Sequence, residues 1–263
     1  MLQALQNLSS NNTPSGPFTF TRSWWYQSYN LYAYDKSVNN AKTEQLMTTE
    51  KSSLPQRPAQ SALPSPPNPI YERYIPHLDS YFCLSIFGNS DPDIDLLHTW
   101  LNDPRVDQFW KDAATREEHV KWLKVRYDAS HILPVLGSYR GTAGDKSIYE
   151  PFAYYEIYWV AEDKIGTFYS VKPYDRGIHM LVGSSDHRGP HRVKSWLPSL
   201  AHYIFNDEPR TERIVSEPDC RNSKMISYLE SFGFKKTAEV DMGHKVAALM
   251  ILDRDEFWAK CPL

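Results

Sequence analysis

The heptapeptide GIHMLVG, residues 177–183, places His179 in the middle of an otherwise apolar run. Ile178, Met180 and Val182 alternate with Leu181 and Gly183, so a strand here is apolar on both faces and a titratable ring carries a desolvation cost. Two readings are open, a core histidine that has found a partner and a ring placed for chemistry. Further on, EPDCRN sets Asp219 and Asn222 between a strand end and a helix start, where α/β folds deliver side chains to ligands. Either residue also serves as a plain helix cap. Before it, SSDHRGPHRVK opens a helix at Pro190 with Arg188, Gly189, His191 and Arg192 around its first turn. Unpaired amides and cations there suit a pyrophosphate, the alternative being an ordinary polar turn. In YYEIYWVAED, Glu156 interrupts an aromatic strand, with Trp159 pointing the other way. A carboxylate among tyrosines can bind an ammonium; the alternative is an edge-strand glutamate facing water.

Other chemistries lack their residues. The remaining histidines show no HExxH or similar spacing, so no metal is expected. There is no GxSxG, Walker loop or GxGxxG, which removes the serine hydrolase, P-loop NTPase and Rossmann dinucleotide readings. The 29 basic and 32 acidic side chains are dispersed with a net charge of −3, so nucleic acid is not an expected partner. Cys83, Cys220 and Cys261 are far apart without CxxC spacing, which suits a reducing compartment. No run approaches the roughly 18 apolar residues of a membrane span, and MLQALQNLSSNNT lacks the pattern of a secretory signal. The expected location is the cytoplasm. The terminal Cys-Pro-Leu leaves the peroxisome as an alternative, weakened by Pro262 where a basic residue is wanted.

The positioning elements follow from periodicity. Residues 1–69 read as an extension ending in the proline-rich linker LPQRPAQSALPSPPNP, with the aromatic, strand-like FTFTRSWWYQSYNLYAY (18–34) inside it. Residues 70–263 read as a domain. SYFCLSIF is a strand; DPDIDLLHTWLND is a helix capped by Asp91 or Asp93; TREEHVKWLKVRYDA is a helix with a Thr115–Glu118 capping box and a stripe of Val120, Leu123 and Tyr127. HILPVLGSYR and FAYYEIYWV are strands joined by GTAGDKS, and the His179 strand follows. Next come a helix over 190–205 with Val193, Trp196, Leu197, Leu200 and Ile204 inward, the strand TERIVSEP, the helix NSKMISYLESF, and closing strands around FKKTAEVDM and KVAALMILD. The order β-α-α-β-β-β-α-β-α-β-β implies an α/β (α+β) fold, a mixed sheet flanked by helices.

That order, with HTWLNDPRVDQFW, YYEIYWVAED, DRGIHMLVG, RGPHRVKSWLPSLAHYIF and EPDCRNSKMISYLESFGF, resembles the GNAT N-acyltransferase superfamily. Within it the strings are similar to the branch that makes hydroxamate siderophores, including the aerobactin and mycobactin acyltransferases and the fungal enzymes acylating N5-hydroxyornithine. The resemblance covers about the last two-thirds of the chain. It implies acyl-CoA as co-substrate, acetyl-CoA or anhydromevalonyl-CoA among the candidates, and a hydroxylated ornithine or lysine as acceptor. It also implies His179 and Asp219 in the active site. The mechanism expected of them has Asp219 hold or polarise His179, or the hydroxylamine directly, with His179 as general base. The backbone of Leu181 and Val182 would receive the thioester oxygen and pantetheine, the 188–193 loop the pyrophosphate, and Asn222 the CoA arm. Glu156 and Trp159 stand as acceptor-binding candidates. Two departures stand out: His191 and Val193 replace a glycine and a small residue of the loop, and Leu229 occupies the place of the tyrosine acid of many GNAT enzymes, with Tyr228 one residue away. A homodimer is one expectation for assembly. The competing readings are an acetyltransferase of unmodified lysine or polyamine amines and an inactive acyl-CoA-binding subunit.

Overall fold

The computed structural model describes residues 68–144, 148–260 and 263. Eight strands form one sheet: β1 (Pro69–Ile75), β2 (Ser80–Ile86), β3 (Ile132–Gly141), β4 (Glu150–Trp159), β5 (Arg176–Val182), β6 (Arg213–Ser216), β7 (Lys235–Asp241) and β8 (Val246–Asp253). The helices are α1 (Asp91–Leu101), α2 (Pro104–Trp110), α3 (Arg116–Asp128), α4 (Pro190–Asp207), α5 (Ser223–Ser231) and α6 (Arg254–Lys260). The spatial order is β1-β2-β3-β4-β5-β6-β8-β7, antiparallel throughout except for β5 beside β6.

The two faces of β4 and β5 separate the cores. Tyr154 and Leu181 face the cluster of Leu97, Trp100, Leu101 and Leu123 from α1 and α3, while Tyr155, on the other face, meets Trp196 of α4. The α4 stripe of Val193, Trp196, Leu197, Leu200 and Ile204 is buried, as its spacing predicts. The Thr115–Glu118 capping box starts α3, as expected.

Several local expectations are revised. Ser90, not Asp91 or Asp93, caps α1, because Asp93 at the third helical position reaches back to the Ser90 amide and hydroxyl. Val120 is exposed, and His119 takes the inward place on α3, its Nδ1 2.9 Å from Nδ1 of His98. Strand β1 and helices α2 and α6 were not anticipated. Each is seven residues long, too short for a clear period. The aromatic segment 18–34 lies outside the described residues, as do 145–147 of the expected turn.

The parallel pair decides where a ligand can enter. Residues Arg176 and Gly177 pair with Ile214 and Val215, and there the ladder ends. Beyond it the link runs through side chains, the Ser216 hydroxyl donating to the Ile178 carbonyl at 3.3 Å. Beyond that point β5 and β6 splay, and each is followed by a helix, α4 after β5 and α5 after β6. Two helix N-termini therefore lie beyond the carboxyl ends of the two parallel strands.

Candidate active site

A cleft of about 330 Å³ opens at the splay, lined by β5 residues Ile178, His179 and Met180, by Ser216 to Asp219, and by side chains from the α2–α3 and β7–β8 connections. His179 occupies its floor. The register pairs His179 with Glu156 across β4 and β5, so both side chains rise on one face. The ring donates from Nδ1 to Glu156 Oε2 at 2.7 Å and from Nε2 to Glu217 Oε1 at 2.5 Å. Trp110 meets it edge-on, with ring centroids 6.3 Å apart, and Tyr158 lies against it at 4.6 Å.

Both glutamates are buried, and each has further donors. Glu156 also accepts from Arg126 Nε and from the Tyr154 hydroxyl, each at 3.0 Å. Glu217 accepts from the Tyr158 hydroxyl at 2.8 Å, while Lys245 Nζ binds the Glu217 carbonyl at 2.7 Å and lies 3.8 Å from its carboxylate. Burial alone would lower the basicity of His179, but the Glu217 and Glu156 carboxylates outweigh it and raise the pKa to about 10. Burial of Glu217 works toward a higher pKa and is overcome by the His179 charge and its hydrogen bond, leaving it at about 2. Glu156 is held below the usual carboxylate range by His179 and Arg126 against the same burial. At neutral pH the floor is thus an imidazolium between two carboxylates, and a proton acceptor is absent from the ring.

The expected partnership of Asp219 with His179 is therefore not the one present. Both ring nitrogens are taken by glutamates, and the Asp219 carboxylate is bound by Arg221, Oδ1 at 2.9 Å to Nε and Oδ2 at 2.6 Å to Nη2. That hydrogen bonding to Arg221 drops Asp219 to about pKa 2. Asp219 still lines the cleft with His179. Asn222 also lines it and caps α5 through Met225 N–H at 3.1 Å, so the capping alternative holds for that residue.

Glu156 is 3% exposed, which removes the water-facing alternative. Trp159 does not line the cleft. It packs on the other face of β4, with the Arg176 guanidinium 4.1 Å from its ring, because a three-residue offset along a strand reverses the side.

The β5 backbone sorts by alternation. Gly183 N–H donates to the Phe152 carbonyl at 2.9 Å, which turns the amides of Leu181 and His179 toward β4. Those of Met180 and Val182 face the gap beside β6. This revises the expectation for Leu181, whose side chain is also buried in the α1–α3 core, and adds Met180.

The 188–193 turn lies at the start of α4, outside the lining of this cleft. Gly189 caps the helix at φ 105°, a conformation that favours glycine. Arg188 is folded back, its Nη2 donating to the Val182 carbonyl at 3.2 Å and the Gly183 carbonyl at 2.5 Å. The Arg192 guanidinium lies 5.1 Å from the Tyr139 ring. Leu229 is fully buried and Tyr228 is not among the cleft residues.

Glu217, Arg126, Lys245 and Asp112 escaped the sequence reading. Glu217 lies in the EPD string two positions before Asp219; Arg126 belongs to α3, while Lys245 and Asp112 belong to connections, and none of the three carries a motif of its own.

An acetyltransferase (GNAT) domain model matches residues 89–242. The chain is 41% identical over 204 residues to hydroxyornithine transacylase SID3 of Ajellomyces capsulatus, covering 77% of this chain and 45% of that protein. It is 35% identical over 229 residues to N(6)-hydroxylysine O-acetyltransferase of Escherichia coli, covering 86% of this chain and 68% of that one. The chain thus spans less than half the length of the fungal relative. The solved structure of aminoglycoside acetyltransferase AAC(6')-Ib in complex with coenzyme A has a TM-score of 0.58 at 21% identity, over 68% of this chain and 99% of that chain, a likeness of fold. With the family model spanning more than half the residues and the matched region carrying the splayed strands and most of their cleft, the chain belongs to the GNAT acetyltransferase family.

Proposed function

We propose that this chain is an acyl-CoA-dependent N-acyltransferase that forms a hydroxamate on the hydroxylated side-chain nitrogen of ornithine or lysine in siderophore biosynthesis. The observation that carries the reading is the 41% identity to a hydroxyornithine transacylase across three-quarters of this chain. The charge state of His179 supports it. A primary ammonium must lose a proton before it attacks, whereas a hydroxylamine nitrogen is uncharged near neutral pH, and a site whose histidine is already protonated suits the second nucleophile.

The nitrogen attacks the thioester carbonyl and an N–C bond forms. The Met180 and Val182 amides facing the splay receive the oxyanion, and collapse breaks the C–S bond. The proton leaving nitrogen is taken up by Glu217 as His179 gives one to the departing thiolate, so the step balances without an external base. The α4 turn with Arg188, Gly189 and Arg192 binds the CoA pyrophosphate, and Asn222 lies beside the CoA arm. Asp219, held by Arg221, shapes the cleft wall. In this reading residues 70–263 form the acyltransferase domain, residues 1–69 an extension, and the enzyme works in the cytoplasm as a homodimer.

Mass spectrometry of products from a panel of acyl-CoAs with N5-hydroxyornithine, N6-hydroxylysine and ornithine tests this. The expected product is the hydroxamate of a hydroxylated acceptor. Equal or better turnover of ornithine would replace the reading with acetylation of an unmodified amine. Absence of thermal stabilisation by acetyl-CoA would replace it with a subunit that has lost the reaction.

A further inference from the structure

The ion pairs of the cleft form a chain that alternates in sign. Arg126 binds Glu156, Glu156 binds His179, His179 binds Glu217, and Glu217 is flanked by Lys245. One more acid stands at the Arg126 end. Asp112, in the α2–α3 connection, lines the cleft with Arg126. Its backbone carbonyl accepts from Nε2 of the buried His119 at 2.8 Å, which ties the connection to the His98–His119 pair and fixes where the residue sits. Its carboxylate makes no ion pair among the described residues. The other acids of the cleft are taken up by cations or by a backbone amide: Glu156, Glu217 and Asp219 have cations, and Asp163 accepts the Ile165 amide at 3.1 Å. Burial holds the Asp112 carboxyl above its usual range, with the Arg126 charge and a hydrogen bond from the Trp122 side chain acting against it.

Arg126 is only partly used. Its Nε is on Glu156 and its Nη1 is 3.4 Å from the Trp122 carbonyl, with the guanidinium stacked 3.5 Å over the Trp122 ring. The Nη2 group makes no hydrogen bond among the described residues. An acid and a base therefore stand near each other at one end of the cleft without bonding to each other, beside Trp110 and Trp122. A group that carries an ammonium and a carboxylate on one carbon has the same two charges in the opposite sense.

We propose that Asp112 and Arg126 read the α-amino-acid head of the acceptor, Asp112 taking the α-ammonium and Arg126 Nη2 the α-carboxylate, so that the side-chain nitrogen extends toward His179. This rests on the proposed function in taking an amino-acid acceptor, and it makes both ornithine- and lysine-derived acceptors admissible because they share the head. It excludes N-hydroxylated diamines, which lack the carboxylate, and hydroxylamino acids without the α-amino group.

The test compares N5-hydroxy-L-ornithine with 5-(hydroxyamino)pentanoic acid and N-hydroxyputrescine, in the wild-type enzyme and in Asp112→Asn and Glu117→Gln. The wild type is expected to lose about 10- to 100-fold in kcat/KM on the deaminated acceptor, the scale of one charge-assisted hydrogen bond. Asp112→Asn is expected to show a similar loss on hydroxyornithine, mostly in KM, no further loss on the deaminated acceptor, and an unchanged KM for acyl-CoA. Glu117→Gln, an exposed acid of α3 outside the cleft lining, is expected to behave as wild type. Equal losses on both acceptors in Asp112→Asn, an unchanged KM for hydroxyornithine, or the same selective loss in Glu117→Gln would overturn the assignment. Running the same comparison with ornithine and 5-aminopentanoic acid keeps it independent of hydroxylation. If the enzyme prefers the unmodified amine, the hydroxamate reading fails while the head-group assignment stands or falls on its own ratio.

Discussion

At the scale of single residues, the acid that matters to His179 is Glu217 and not Asp219, two positions further along the same string. Exchanging each for its amide separates them. Glu217→Gln is expected to let the His179 pKa fall from about 10 toward the ordinary value and to cut kcat/KM by roughly 10²-fold or more, the scale of losing one preorganised electrostatic partner. Asp219→Asn is expected to leave the ring's titration where it was, because its carboxylate is spent on Arg221. Proton NMR of the histidine resonances against pH reads both. A large movement in Asp219→Asn would show that the two residues are coupled in solution.

The same pair sets a pH signature. His179 holds its proton more tightly folded, about 10, than unfolded, 6.5, so its contribution to stability is complete below 6.5 and is lost as pH rises through 10. Glu217 titrates lower folded, about 2, than unfolded, 4.5, so its contribution is complete above 4.5 and is lost as pH falls through 2. Both are fully present between pH 4.5 and 6.5. Chemical denaturation across pH should show wild type declining faster than Glu217→Gln between 6.5 and 10, since the variant has less raised basicity to lose. Parallel curves would contradict the ion-pair account.

At the scale of elements, the site depends on how closely β5 lies against β4. Gly177 faces the ring of Tyr158, where a methyl group would land on ring atoms, and the Tyr158 hydroxyl holds Glu217. Gly177→Ala is therefore expected to disturb both packing and catalysis, costing about 1–3 kcal/mol in urea unfolding together with a loss of kcat. Full activity at wild-type stability would mean that the ring moves without consequence. The longer helices are legible because their signals are local: the α4 stripe and the Thr115–Glu118 box declare themselves within one or two turns, whereas the seven-residue α2 and α6 are too short for a period. Strand β1 was missed for the opposite reason. PIYERYI follows a proline-rich stretch, and only pairing with β2 makes a strand of it.

At the scale of the whole molecule, every strand among the described residues and every residue lining the cleft falls between Pro69 and Asp253. A chain of residues 68–263 is accordingly expected to retain the thermal transition and the acyl transfer of the full chain. Loss of either on removing residues 1–67 would make that N-terminal quarter part of the working enzyme. Among the described residues no helix is long and apolar enough to cross a membrane.

What the sequence determined by itself was most of the elements in their order, without β1, α2 and α6, and the short list of places where polar groups interrupt apolar strands: His179, Glu156 and the EPDCRN turn. Those are local facts, written in periodicity and in residue type. Which of these groups meet was decided only by the tertiary structure. Pairing of β4 with β5 brings Glu156 to His179, and the short parallel contact with β6 brings Glu217 to the other side of the ring. Arg126, Lys245 and Asp112 arrive from a helix, a hairpin and a connection far apart in the chain. Burial among them then turns a histidine that looked like a base into a cation. A pKa is a property of the assembled surroundings, and no spacing along one strand encodes it.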